Sequence, residues 1–153
     1  MNDNVAYSIN QSSVADIAAH LLNADATFKP SLSSRVEIRA YAEKLHGKAV
    51  RFEAWSGEEL VGLVAGYCNQ PNWGKSFVTS VSVLPKSQGL GIAGQLMQQC
   101  IEHMQGLGFA QMELEVDLHS LPAVSLYKRL GFATLRSSGS VLTMGMTLGK
   151  KAI

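Results

Sequence analysis

Near the middle of the chain, Val83-Leu84-Pro85-Lys86-Ser87-Gln88-Gly89-Leu90-Gly91-Ile92-Ala93-Gly94 reads as a strand stopped by proline, a glycine-rich turn and the start of a helix. The first N–H groups of a helix lack intrahelical acceptors, and the helix dipole adds partial positive charge at the same place. Such a turn therefore suits a phosphate or pyrophosphate. Glycine removes the Cβ that would block its approach. A glycine-bearing connection without a ligand would use the same residues, so the turn by itself leaves both readings open. Gly89-x-Gly91-x-x-Gly94 also meets the bare dinucleotide pattern. That fold, however, places its turn after the first strand, whereas four strand-like segments precede this one.

Those segments follow from residue pattern. Ala6 to Ile9 reads as a first strand. Ser12 or Ser13 then caps a helix whose apolar face takes Val14, Ile17, Ala18, Leu21 and Leu22. Pro30 breaks it. A second helix is expected from Ser33 or Ser34, with Glu37 completing a capping box, through Tyr41 toward Leu45 and ending at Gly47. Ala49 to Trp55 and Leu60 to Tyr67 flank Ser56-Gly57-Glu58-Glu59 as a hairpin, and Phe77 to Leu84 forms a central strand. Beyond the turn, Ile92, Leu96, Cys100, Ile101 and Met104 recur at helical spacing until Gly106 and Gly108. Gln111 to Asp117 is a strand and Leu121 to Leu130 a helix, with Pro122 tolerated only near its start. Phe132 to Arg136 and Val141 to Leu148 pair around Ser137-Ser138-Gly139-Ser140.

Composition narrows the function classes. A chain of 153 residues with 46% hydrophobic and 16% charged residues builds one core and is not disordered. A net charge of +1 offers no basic surplus for nucleic acid. The apolar stretches, such as Leu60 to Ala65, are of strand length, and the N-terminus lacks a basic segment followed by an apolar run. A cytoplasmic protein without membrane association is expected. Cys68 and Cys100 suit packing better than a disulfide, and His20, His46, His103 and His119 lack ligand spacing, so no metal is expected.

Gln88-x-x-Gly91-x-Ala93, preceded by Val-x-Pro, resembles the acyl-CoA signature of the GNAT superfamily of N-acetyltransferases. A second segment agrees in order and separation. Leu114-Glu115-Val116, Ala123 and Leu126-Tyr127-Lys128-Arg129-Leu130-Gly131-Phe132 resemble the family's L-E-V followed by N-x-x-A-x-x-L-Y-x-x-x-G-F. The resemblance covers residues 60 to 148, and the N-terminal third only by its order of elements. It implies a single α/β (α+β) domain over residues 1–153, with a mixed, mostly antiparallel sheet flanked by about four helices. It also admits a homodimer, since such a sheet leaves an edge to be covered.

The resemblance implies acetyl transfer from acetyl-CoA to a primary amine. This chemistry needs a base for the amine, a proton donor for the leaving thiolate and N–H donors for the developing oxyanion. The resemblance makes Tyr127 the acid, although Ala123, Leu126, Tyr127 and Leu130 also form an ordinary amphipathic face. Glu115, twelve residues before Tyr127, matches the base of relatives that acetylate a ribosomal protein's N-terminal alanine. By period-2 alternation it equally belongs to an acidic face with Glu113 and Asp117, and His119 is a chemically apt substitute.

Acetyl-CoA is expected on the backbone edge of Ser82 and Val83, on the N–H groups of Gln88, Gly89, Leu90, Gly91, Ile92, Ala93 and Gly94, and on Ser120 and Tyr127, with Lys86 either adding charge or solvated. Ser120 stands where the family has asparagine, so a shorter hydroxyl must serve there. For the acceptor, Phe28-Lys29-Pro30-Ser31-Leu32-Ser33-Ser34-Arg35 resembles relatives encoded with polysaccharide and amino-sugar pathways. This implies a small amine such as an amino sugar, with Arg35 and Tyr67 as its contacts. A protein N-terminus or lysine is the alternative acceptor, and an acyl-CoA-binding module without turnover is the alternative to an enzyme.

Overall fold

A computed structural model describes residues 4–68 and 74–149. Strands β1 (Val5–Ile9), β2 (Val50–Ser56), β3 (Glu59–Tyr67), β4 (Lys75–Val83), β5 (Gln111–Asp117), β6 (Ala133–Ser138) and β7 (Val141–Thr147) form one sheet in the order β1-β2-β3-β4-β5-β7-β6. Helices α1 (Val14–Ala24), α2 (Ile38–Lys48), α3 (Ile92–Gly106) and α4 (Leu121–Leu130) cover its two faces. Every strand pair is antiparallel except β4 and β5. The expected fold class and element order are therefore those of the structure.

Alternation along β3 builds both layers. Leu63 and Ala65 pack with Ile17 and Leu21 of α1 and Ala42 and Leu45 of α2. Val64 lies with Leu96, Cys100 and Met104 of α3. Gly62 and Gly66 share this second face, where a Cβ at Gly62 would stand 2.7 Å from Ile92 Cγ2 and one at Gly66 2.8 Å from Met104 Cε. The two glycines thus let α3 lie close on the sheet, and this fixes where its N-terminus points.

Several expectations need correction. The second helix does not start at Ser33 or Ser34. The Asp25 carboxylate accepts from both the Ser33 N–H and its hydroxyl at 2.7 Å, and residues 32–34 form a 3₁₀ turn. Glu37 is itself the cap of α2, accepting from the N–H groups of Arg39 and Ala40. Gly47 lies inside this helix, which ends at Lys48. Leu22 is 62% exposed because the buried stripe of α1 runs through Ile17, His20, Leu21 and Ala24. β4 begins at Lys75, two residues before Phe77.

β2 holds a charged pair inside the fold. Arg51 and Glu53 are both buried and 3.5 Å apart. Glu53 accepts from Ser8 Oγ, from the N–H groups of Gln11 and Ser12 and from Ser12 Oγ, so its charge is met by hydrogen bonds that tie β1 and the start of α1 to the sheet.

Candidate functional site

β4 and β5 pair over only four positions, Lys75–Val78 against Gln111–Leu114, and then diverge. The divergence coincides with an irregularity on the other side of β4. There Ala65 pairs with Ser80 and Gly66 with Val78, so Thr79 is an extra residue with no partner opposite. Such a bulge bends a strand, and β4 leaves β5 at this point. A cavity of about 460 Å³ opens between the diverging strands. Its walls are Thr79–Val81 of β4, Leu114–Asp117 of β5, Ser120 with Ala123 and Tyr127 of α4, the connection from α1 to α2, and Val141 of the last hairpin.

Local sequence places Tyr127 on this cavity. Gly131, with φ of 110°, closes α4 in a left-handed turn, and the Phe132 N–H donates to Tyr127 O at 2.9 Å. This folds the buried Phe132 ring back against Tyr127 edge to face, with centroids 5.9 Å apart. Burial pushes the Tyr127 phenol well above its ordinary value, so its hydroxyl stays protonated.

Glu115 stands exposed on the β5 wall of the cavity, and its side chain has no hydrogen bond or ion pair among the described residues. The acidic face expected with it is split. Glu113 is buried and paired with Lys75 at 3.1 Å and Arg136 at 3.5 Å. The Asp117 carboxylate accepts from the His119 N–H at 2.8 Å, and this bond is the leading cause that holds Asp117 below the usual carboxylate range. His119 is exposed, sits against Asp117 and does not line the cavity.

The glycine turn lies at the C-terminal end of β4. Residues 85–87 form a 3₁₀ turn, Gln88 Nε2 donates to Val83 O at 3.2 Å, and Gly89 and Gly91 have φ of 85° and 77°. Gly91 is the N-cap of α3, whose first turn has no side-chain cap. A Cβ at either glycine would meet nothing within 4 Å, so both residues are required by conformation and leave the surface open. Gly89, Leu90 and Gly91 are exposed, whereas the Ile92 side chain belongs to the core. Ala93 and Gly94 complete the first turn of α3.

The remaining expected residues divide. Ser82 turns its hydroxyl to His20 Nε2 at 2.8 Å, so it offers a ligand only backbone, and Val83 is buried beside it. Ser120 lines the cavity at the start of α4 and makes no capping bond. Lys86 is ion-paired with Glu59 at the surface. Arg35 lines the cavity, but Tyr67 does not. Tyr67 lies under Lys44, whose Nζ is 5.7 Å from its ring centre, and its hydroxyl is buried with no partner among the described residues. Both thiols are free, and burial pushes that of Cys100 up to about 12, in keeping with a packing role.

Sequence reasoning missed Tyr41, Thr79 and Ser80. The Tyr41 hydroxyl bonds Thr79 O at 3.2 Å and Thr79 Oγ1 at 3.0 Å, which holds the bulge. Ser80 is 4% exposed and lines the cavity, with its hydroxyl beside that of Tyr41. Nothing in a run of serine and valine signals a bulge.

A parallel pair that diverges at a bulge, followed by an uncapped helix behind a glycine turn, defines a known class. Residues 17–132 match the model of the acetyltransferase (GNAT) family, and the chain belongs to that family. It is similar to the mycothiol acetyltransferase of Arthrobacter sp. (strain FB24), 39% identical over 67 residues that make up 44% of this chain and 20% of that protein. Over 95 residues it is 37% identical to the uncharacterized N-acetyltransferase YsnE of Bacillus subtilis (strain 168), covering 59% of this chain and 60% of that one. The chain therefore spans less than two thirds of the length of these curated relatives. Its fold is that of the PaiA N-acetyltransferase of Thermoplasma acidophilum, solved in complex with coenzyme A, with a TM-score of 0.73 and 17% identity over 93% of this chain and 99% of that one.

Proposed function

We propose that the protein is an N-acetyltransferase that moves an acetyl group from acetyl-CoA to the primary amine of a small molecule, by direct attack with both substrates bound. The observation that carries this reading is the cavity between β4 and β5, which presents an unpaired carboxylate and a buried, protonated phenol together. The residues also fit acetyl-CoA. Beyond Val78 the edge of β4 has no β5 partner, which suits an amide-bearing arm laid against Ser82 and Val83. The uncapped turn from Gln88 to Gly94 suits a pyrophosphate.

In this reading Glu115 takes the proton of the amine, directly or through one water, and Tyr127 gives its proton to the departing thiolate. Ser120 contacts the acyl-donor arm through its hydroxyl. The α1–α2 connection, with Arg35, holds the acceptor, and a cavity of about 460 Å³ favours a metabolite such as an amino sugar over a folded protein.

The test is thiol release from acetyl-CoA against amino sugars, polyamines and short peptides, after acetyl-CoA binding has been measured by thermal shift. Release with a small amine is the expected result, and release with peptides alone would move the acceptor to a protein N-terminus or lysine. Binding without turnover on any acceptor would make the protein an acyl-CoA-binding module, and no binding would overturn the proposal.

A further inference from the structure

The charged groups around the cavity are sorted by sign. On the wall formed by the α1–α2 connection, Lys29 and Arg35 line the cavity, and neither has an ion-pair partner among the described residues. The acids closest to Arg35 in sequence are already engaged. Asp25 accepts from Ser33, and Glu37 caps α2. On the opposite wall stand Glu115, unpaired, and Asp117. Ser80 of β4 also lines the cavity, its buried hydroxyl beside that of Tyr41.

We infer that the acceptor is an anionic amine: a molecule whose amino group meets Glu115 and which also carries a carboxylate or phosphate held by Arg35 and Lys29. The inference rests on the acetyltransferase reading and narrows it to one charge class of substrate. A neutral amine would meet only the carboxylate wall and leave the two exposed cations to solvent. A guanidinium binds either oxyanion through paired N–H donors, which makes carboxylate and phosphate the shared chemistry.

Three acceptors that share one amino-sugar ring separate the possibilities: glucosamine, glucosamine 6-phosphate and muramic acid, which are neutral, phosphorylated and carboxylated in turn. With acetyl-CoA saturating, kcat/KM for one of the two anionic sugars should exceed that for glucosamine by at least about tenfold, because a guanidinium and an ammonium at the cavity wall add charge-assisted hydrogen bonds that the neutral sugar lacks. Whichever of the two is faster identifies the anion. In Arg35→Met and Lys29→Met the ratio between anionic and neutral sugar should fall toward one. Both residues are exposed, so these variants are expected to fold as the parent does.

A ratio near one in the parent, or a ratio that survives both substitutions, overturns the inference while turnover itself upholds the acetyltransferase reading. Should none of the three sugars turn over, their binding in the presence of coenzyme A decides. Thermal stabilisation by an anionic sugar alone, lost in Arg35→Met, supports the inference and counts against catalysis. Stabilisation by none of them, or equally by glucosamine, overturns the inference.

Discussion

Two helices begin under a side-chain cap and two do not. Ser13 Oγ accepts the Asp16 N–H while the Asp16 carboxylate accepts the Ser13 N–H, both at 3.0 Å, so α1 starts with a complete capping box. α2 starts under Glu37. α3 starts at Gly91 and α4 at Ser120, and neither has a side-chain acceptor on its first turn. The uncapped pair follow β4 and β5, the only parallel strands among the described residues, at the ends where these diverge. Crevices at the carboxyl ends of parallel strands are where open α/β sheets take ligands. A helix start whose N–H groups are met by a side chain ties that helix into the fold, whereas the first turns of α3 and α4 keep N–H donors that no side chain of the described residues meets.

The largest expected effect tests the chemistry carried by α4. Tyr127→Phe should lower kcat by about a hundredfold, the usual scale for loss of a positioned acid, with acetyl-CoA affinity nearly unchanged. Parallel loss of kcat and affinity would mark Tyr127 as packing alone. Next, Gly91→Asp puts an acidic cap on α3. Aspartate tolerates the left-handed conformation better than most residues, so thermal stability should stay close to the parent. Acetyl-CoA affinity, measured by calorimetry, should fall by roughly 30-fold or more as a carboxylate repels the pyrophosphate. Unchanged affinity would show that the open start of α3 has no ligand role.

The converse change is smaller. Ser13→Ala should cost about 1 kcal/mol of stability in denaturant unfolding and leave the KM for acetyl-CoA as it is. Burial lowers the pKa of His20, which bonds Leu60 O through Nδ1 and Ser82 Oγ through Nε2, both at 2.8 Å. The folded protein therefore resists His20 protonation, whereas the unfolded chain takes up that proton near pH 6.5. Stability should be complete above about pH 6.5 and decline as pH falls below it, with a slope of at most about 1.4 kcal/mol per pH unit from this group. His103, also lowered by burial, adds in the same direction. His20→Gln should flatten the profile of melting temperature against pH, and an unchanged slope would assign the effect elsewhere.

Much of this was legible because certain residues have few alternatives. Glycines at 89, 91 and 131 adopt positive φ, and Pro85 and Pro122 sit where a strand has ended or a helix begins. The stripe of α3 and the spacing of Glu115 and Tyr127 likewise put their side chains on known faces. Serines were not legible in this way. Ser12, Ser13, Ser33, Ser34 and Ser120 each precede an apolar helical pattern, yet only Ser13 caps. Ser12 instead serves Glu53, and Ser33 is taken by Asp25, whose position depends on the end of α1. Arg51 and Glu53 became a buried pair only because β1 and the start of α1 close over them.

What the sequence by itself determined was the family, the order of elements and the faces on which the candidate residues stand, because backbone conformation and periodicity are local properties that a few residue types enforce. Only the tertiary structure decided which of those residues meet. The bulge at Thr79 and its Tyr41 bond, the divergence of β4 from β5, the exclusion of Tyr67 from the cavity and the sorting of Lys29 and Arg35 against Glu115 all depend on contacts between segments far apart in the chain. Such contacts are set by packing of the whole, since a hydroxyl or a carboxylate has no preferred partner until the fold brings one within reach.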